Sequence, residues 1–133
     1  MTTTKIDRAV HANTLIKIIA SHGRRFFYSE SKNQYARIEL DERGRVWFID
    51  YYTGKRIYTH RSGHWNGFTS GGTLKSLVED MRDYITFGMR IAPWKIAPPR
   101  ENGSNIWGYP AEAAEAVRKA ALALPIIAPT NVD

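Results

Sequence analysis

A chain of 133 residues is long enough to bury a core without help from metal or disulfide, and one domain over 1–133 is expected. It contains no cysteine, which excludes disulfides, thiolate zinc sites and cysteine nucleophiles and fits a reducing compartment. Its 19 Lys and Arg against 13 Asp and Glu leave a net charge of +6, which excludes a strongly acidic DNA mimic and favours phosphate-bearing or acidic partners.

The N-terminal MTTTKIDRAVHANTLIKIIA has no uninterrupted apolar stretch with a small-residue cleavage site. No signal peptide is therefore expected. No window approaches the ~18 apolar residues of a membrane span, so no membrane partner is expected and the cytoplasm is the expected compartment. Within this segment Ala9, Ala12, Leu15, Ile16 and Ile19 share one face at 3.6-residue spacing, predicting a helix over about 5–22 that stops at Gly23.

RRFFYSES then reads as an aromatic, strand-like run, and QYARIEL alternates Ala36, Ile38 and Leu40 against Arg37 and Glu39, the period-2 pattern of a half-buried strand. The turn DERG leads into RVWFIDYY (45–52), the strongest strand pattern in the chain, and Thr53-Gly54 turns it into KRIYTH. Both faces of RVWFIDYY are apolar or aromatic, with Val46, Phe48 and Tyr52 on one side and Trp47, Ile49 and Tyr51 on the other. A one-sided sheet should show a polar outer face. The second face is therefore either covered by the Met89–Tyr109 segment or left open for binding.

A second helix is predicted over about 73–87, with Leu74, Leu77, Val78, Met81, Tyr84 and Ile85 in one stripe, Thr73 as N-cap and Gly88 as stop. MRIAPWKI could add an edge strand. Pro110 suits the first position of a third helix running to about Leu124, with Ala113, Ala116, Val117, Ala120 and Leu124 inward and Glu115–Lys119 as an exposed pair. The tail from Ile126 to Asp133 is expected to be loose, unless Ile126 and Ile127 dock. The order α-β-β-β-(β)-α-(extended)-α implies an α+β fold, an antiparallel meander of three or four strands with helices packed on one face.

Candidate sites follow from charge and from the glycines. Between Gly23 and Arg61 stand nine Lys and Arg against five acids, a local excess of four. Arg24, Arg25, Arg37, Arg45, Lys55, Arg56 and Arg61 are the candidate nucleic-acid-binding residues, since an aromatic sheet bordered by cations suits base stacking and phosphate contact. GFTSGGT feeds a helix N-terminus, so Thr69, Ser70, Gly71, Gly72, Thr73 and Lys75 form a candidate anion loop. Its plain alternative is a long turn whose Trp65 and Phe68 plug the end of the core. Leu74 stands where a phosphate-binding P-loop needs Lys-Ser/Thr, so NTP hydrolysis is not expected.

Catalytic patterns are sparse. His60 and His64 lack a third ligand for zinc, and the hydroxyls of Ser62, Ser70 and Thr73 lack an identified orienting acid for a hydrolase. Asp50 is expected to pair with an arginine or to lie at the wet end of its strand. No metal, cofactor or catalytic residue is expected.

The element order resembles that of double-stranded RNA-binding domains, although the lysine cluster that those domains carry on their second helix is reduced here to Lys75. The stretch GRVWFIDYYTGKRIYTHRSGHWNGFTSGGTLKSLVEDMRDYI resembles small uncharacterised accessory proteins of proteobacterial phages, plasmids and integrated elements. That resemblance implies a mobile-element protein that handles nucleic acid or a nucleoprotein complex. The alternative it leaves is a protein–protein module acting on a host defence or replication enzyme, with Trp65, Phe68, Trp94, Trp107 and Tyr109 as interface anchors.

Overall fold

The computed structural model describes residues 4–23, 26–69, 72–96 and 109–128. Helix α1 spans Lys5–Gly23. It opens on a reciprocal cap in which Asp7 N–H donates to Thr4 Oγ1 at 3.1 Å and Thr4 N–H donates to Asp7 Oδ2 at 3.2 Å. The predicted apolar face is buried along its length, from Ala9 through Ala12, Leu15 and Ile16 to Ile19.

The meander forms two small antiparallel sheets. Strands β1 (Tyr28–Ser29) and β2 (Gln34–Tyr35) make a hairpin, while β3 (Arg37–Leu40), β4 (Val46–Ile49) and β5 (Arg56–Tyr58) make a three-stranded sheet in the order β3-β4-β5. QYARIEL is therefore not one strand. It divides at Ala36, whose N–H turns away to Phe27 O at 2.8 Å. Phe27 itself is fully buried at φ +64°, an unusual conformation for a bulky residue, with its ring edge-on to Phe48 and Tyr51.

Alternation then sorts the side chains of the larger sheet. Ile38, Val46, Phe48 and Ile57 point into the core, where α1 lies against β3 and α2 (Gly72–Phe87) against β4. In the β3–β4 ladder, with Arg37 opposite Ile49 and Glu39 opposite Trp47, the backbone of Ile38 faces the free edge. The Asn13 amide fills that edge. Its Nδ2 donates to Ile38 O at 3.0 Å and its Oδ1 accepts from Ile38 N–H at 2.7 Å.

Helix α2 buries the whole predicted stripe, and Gly88, at φ +75°, ends it with an N–H bond to Tyr84 O of 2.8 Å. The helix begins one residue before the predicted cap, so Thr73 belongs to its first turn. MRIAPWKI forms no edge strand. Ile91 instead makes an isolated parallel bridge to Ile127, and Pro93–Ile96 is a 3₁₀ turn.

Helix α3 spans Ala111–Leu122 and packs on α1 with a face one residue removed from the expected one. Ala114, Val117 and Ala121 are buried, whereas Ala113, Ala116 and Ala120 are half-buried. Glu115 pairs with Arg118 at 3.2 Å rather than with Lys119. The start of the tail is docked, not loose. Ile126 and Ile127 are buried, and the bonds Ile91 N–H to Ile126 O and Ala128 N–H to Ile91 O, both 2.8 Å, clamp them to the segment after α2. The fold class expected from the sequence, α+β with a short antiparallel meander and three helices, is the one observed.

Candidate functional site

The outer face of the three-stranded sheet collects the residues opposite in parity to the core. Across it run two rows, Arg37–Ile49–Arg56 and Glu39–Trp47–Tyr58, continued by Arg45, Asp41 and His60 at the strand ends. Trp47 and Tyr58 are half-buried with their rings 5.1 Å apart, and the Tyr58 ring lies 5.5 Å from His60. The Arg56 guanidinium stands 4.1 Å from the centroid of Trp47, and that of Arg45 lies 6.0 Å from both rings. This is cation–π geometry, with the arginines reaching water over a buried Ile49 and half-buried rings.

Carboxylates moderate the charge. Arg37 Nε donates to Glu39 Oε1 at 2.8 Å, with 51% of the Arg37 side chain exposed, and Arg45 Nε donates to Asp41 Oδ2 at 2.7 Å. Arg56 makes no ion pair among the described residues. Asp41 organises the strand end: it accepts from Trp47 Nε1 at 2.9 Å and from the backbone N–H groups of Arg43 and Arg45, each at 2.9 Å. Burial pushes the Asp41 carboxyl up. The bonds from the Trp47 indole, the Arg45 backbone and guanidinium and the Arg43 backbone outweigh it and hold the group well below the usual carboxylate range. Burial, with Arg82 and Lys5 nearby, pushes His60 below its ordinary 6.5 against an opposing pull from Asp83.

Arg37, Arg45 and Arg56 are thus brought to one face. Lys55 and Arg61 are exposed elsewhere, Lys55 with its stem against Gly67. Arg24 and Arg25 lie outside the described residues.

The glycine-rich approach to α2 carries a plug, Trp65, and the amide and hydroxyl of Thr69 turn inward to Asp50. Trp65, 2% exposed, is edge-on to Phe68, donates from Nε1 to Arg61 O at 2.8 Å and carries the Lys75 ammonium 4.8 Å from its ring. Asp50, fully buried at the end of β4, pairs with no arginine among the described residues. Its Oδ2 accepts the N–H groups of Tyr52 and Thr53, each at 2.9 Å, and its Oδ1 accepts the N–H and hydroxyl of Thr69 at 3.0 and 3.1 Å. A buried carboxylate needs such donors, so Thr69 has none left for an outside anion. Lys75 pairs with Glu79 at 3.6 Å. Of the expected anion loop, Thr69 and Lys75 thus already have partners within the chain. Ser70 and Gly71 lie outside the described residues, as does the side chain of Thr73.

Three of the expected interface anchors, Trp65, Phe68 and Tyr109, fall among the described residues. Trp65 and Tyr109 are core residues, and Phe68 is half-buried against Phe48. Tyr109 O–H donates to Ile19 O at 3.0 Å and accepts from Phe26 N–H at 3.2 Å. The Trp94 side chain and Trp107 lie outside the described residues. Among the described residues no group of three or more His, Asp or Glu is placed to hold a metal ion, and no helix is long and apolar enough to cross a membrane. The sequence singles out neither Tyr58 nor Asp41 for this face and offers His60 only for zinc or hydrolase chemistry, although strand parity, once β5 is registered on β4, places Tyr58 beside Trp47.

Comparison with known proteins sets this chain in a family. Over 119 residues the chain is 34% identical to the SPbeta prophage-derived uncharacterized protein YoqU of Bacillus subtilis (strain 168), covering 88% of this chain and 80% of that one. The prophage origin of this relative agrees with the mobile-element resemblance, and its Bacillus host gives the proteobacterial part no support. No solved structure matches the chain. The YoqU family model matches residues 2–133, and the chain belongs to the YoqU family.

Proposed function

We propose that this chain is a non-enzymatic, cytoplasmic protein of a mobile genetic element that binds nucleic acid on the outer face of β3–β4–β5. The observation that carries the reading is the Arg56 guanidinium 4.1 Å over a half-buried Trp47, without a carboxylate partner among the described residues and beside Arg45 and Tyr58. A cation held flat on an aromatic ring offers both a phosphate contact and a stacking surface. The overall charge of +6 adds long-range attraction for polyanions.

The test is titration of fluorescently labelled DNA and RNA at low and at roughly physiological salt. Binding should weaken steeply with salt. Arg56→Gln should lower affinity and cut the log–log salt slope by about 0.7–0.9, the share of one phosphate contact. Absence of binding at both salts overturns the reading.

One observation favours a protein partner instead. Ile6 and Val10, one turn apart on α1, are 70% and 59% exposed, and Phe87 and Met89 flank Gly88 at 68% and 61%. Pull-down with nuclease treatment separates the two readings, because a partner retained after digestion supports the second.

A further inference from the structure

At the junction where β2 gives way to β3, a cleft of about 220 Å³ opens between the hairpin and α1, lined by Asn13, Lys17, Tyr35, Ala36 and Arg37. Each lining residue has a distinct part. Ala36 is buried and contributes a floor with no side chain beyond its methyl. The Asn13 amide is held by Ile38 through one N–H and its oxygen, so it fixes the wall, and the charged and aromatic groups are those of the other three. Tyr35 is 38% exposed, with its ring held 4.6 Å from that of Tyr28, which is itself anchored by an O–H bond to Asn33 Oδ1 at 2.9 Å. Lys17 is exposed on α1 and makes no ion pair among the described residues. Arg37 gives its Nε to Glu39, and its Nη groups make no hydrogen bond among the described residues.

An aromatic ring and two cations lining one small opening match one chemical unit, an unpaired nucleobase with its adjoining phosphate. The volume falls below the ~300 Å³ at which pockets for whole small-molecule ligands begin, so a single base suits it better than a dinucleotide cofactor. A base inside a duplex has both faces stacked and cannot offer one to Tyr35. The cleft also joins the site described above. Arg37 belongs to the cross-strand row Arg37–Ile49–Arg56, which places its backbone about 10 Å from that of Arg56 at two strand spacings of ~4.8 Å.

Resting on the reading of the outer face as a nucleic-acid surface, we infer that this cleft takes an unpaired base against Tyr35, with phosphate between Lys17 and Arg37. The favoured ligand is then a single strand, running from the cleft across Arg37 to Arg56 and Trp47.

The experiment compares a labelled single-stranded oligonucleotide with the duplex of the same length and sequence, against wild type, Tyr35→Ala and Lys17→Gln. Wild type should bind the single strand at least 10-fold more tightly than the duplex. Tyr35→Ala should weaken single-strand binding about 10-fold, the usual scale of one stacking contact, with the salt slope unchanged. Lys17→Gln should lower that slope by about 0.7. Lys17 is an exposed helix residue outside the core, so its variant keeps the test valid if Tyr35→Ala unfolds. Equal affinity for both ligands, or single-strand binding unaffected by Lys17→Gln, overturns the cleft while leaving the outer-face reading intact. Loss of all wild-type binding overturns both.

Discussion

Thr69 gives both its backbone N–H and its hydroxyl to Asp50, at 3.0 and 3.1 Å, across 19 residues of sequence. This contact ties the turn after β4 to the loop before α2. Asp50→Ala would leave the amides of Tyr52, Thr53 and Thr69, part-buried in these bonds, without their acceptor. A loss of about 3 kcal/mol is expected, seen as a melting temperature roughly 10 °C lower. Asp50→Asn should recover part of it, since one amide oxygen still accepts. An unchanged melting temperature in Asp50→Ala would show that the Asp50–Thr69 bonds do not hold the loop.

Gly67 tests the same loop from its backbone. It sits at φ +93°, and a Cβ there would lie 2.6 Å from Lys55 Cδ. Gly67→Ala should cost about 2 kcal/mol in urea unfolding, part from the left-handed backbone and part from the collision. In a Lys55→Ala background the collision is largely relieved, so the cost should fall to about half. An equal cost in both backgrounds assigns all of it to the backbone.

Asp41 predicts a pH dependence of stability. Its folded pKa lies below the unfolded value of 3.8, so the carboxylate stabilises the fold fully above that value. As pH falls through 3.8 toward the folded pKa, the unfolded chain takes up a proton that the folded chain does not, and stability declines. Asp41→Asn should flatten the melting-temperature profile below about pH 4 and loosen the Trp47 indole, read as a shift in tryptophan fluorescence. A slope identical to wild type would assign acid lability to other carboxylates.

His60 predicts a pH dependence of binding. Its pKa is depressed below 6.5, so at pH 7 it is neutral beside Tyr58. Protonation as pH falls through its folded pKa adds a cation to the outer face, where it also meets Arg82, Lys5 and the opposing Asp83. A polyanion favours that proton, so affinity should rise on acidification below pH 6.5 at constant salt, and His60→Gln should remove the rise. Stability moves the other way, falling over the same window because the folded state resists the proton. A pH-independent affinity in wild type would place the ligand away from β5.

How far the sequence foretold this structure depended on how much each segment gave to choose between. The α2 stripe contains large residues at each turn, from Leu74 to Ile85, so one face dominated. In α3 the alanines at 113, 116 and 120 offer a stripe almost equal to that of Ala114, Val117 and Ala121, and packing on α1 selected the second. The break at Ala36 depends on Phe27 adopting a left-handed backbone, which no strand-like run announces. In the glycine-rich approach no periodicity tells which way Trp65 points, and burial of its large apolar surface decided it. The convergence of Arg37, Arg45 and Arg56 was legible as a charge excess but not as a face, because that required the register of β5 on β4.

Asn13 has a consequence for assembly as well as for shape. By occupying the amide and carbonyl of Ile38, a helix side chain occupies the place a neighbouring strand would take and closes that margin to chain-to-chain pairing. It also works as a gauge of alignment. A slip of β3 by one residue would offer Asn13 the backbone of Arg37 or Glu39 and drive their charges toward α1. One carboxamide on the first helix thereby helps decide which ions of this sheet meet water.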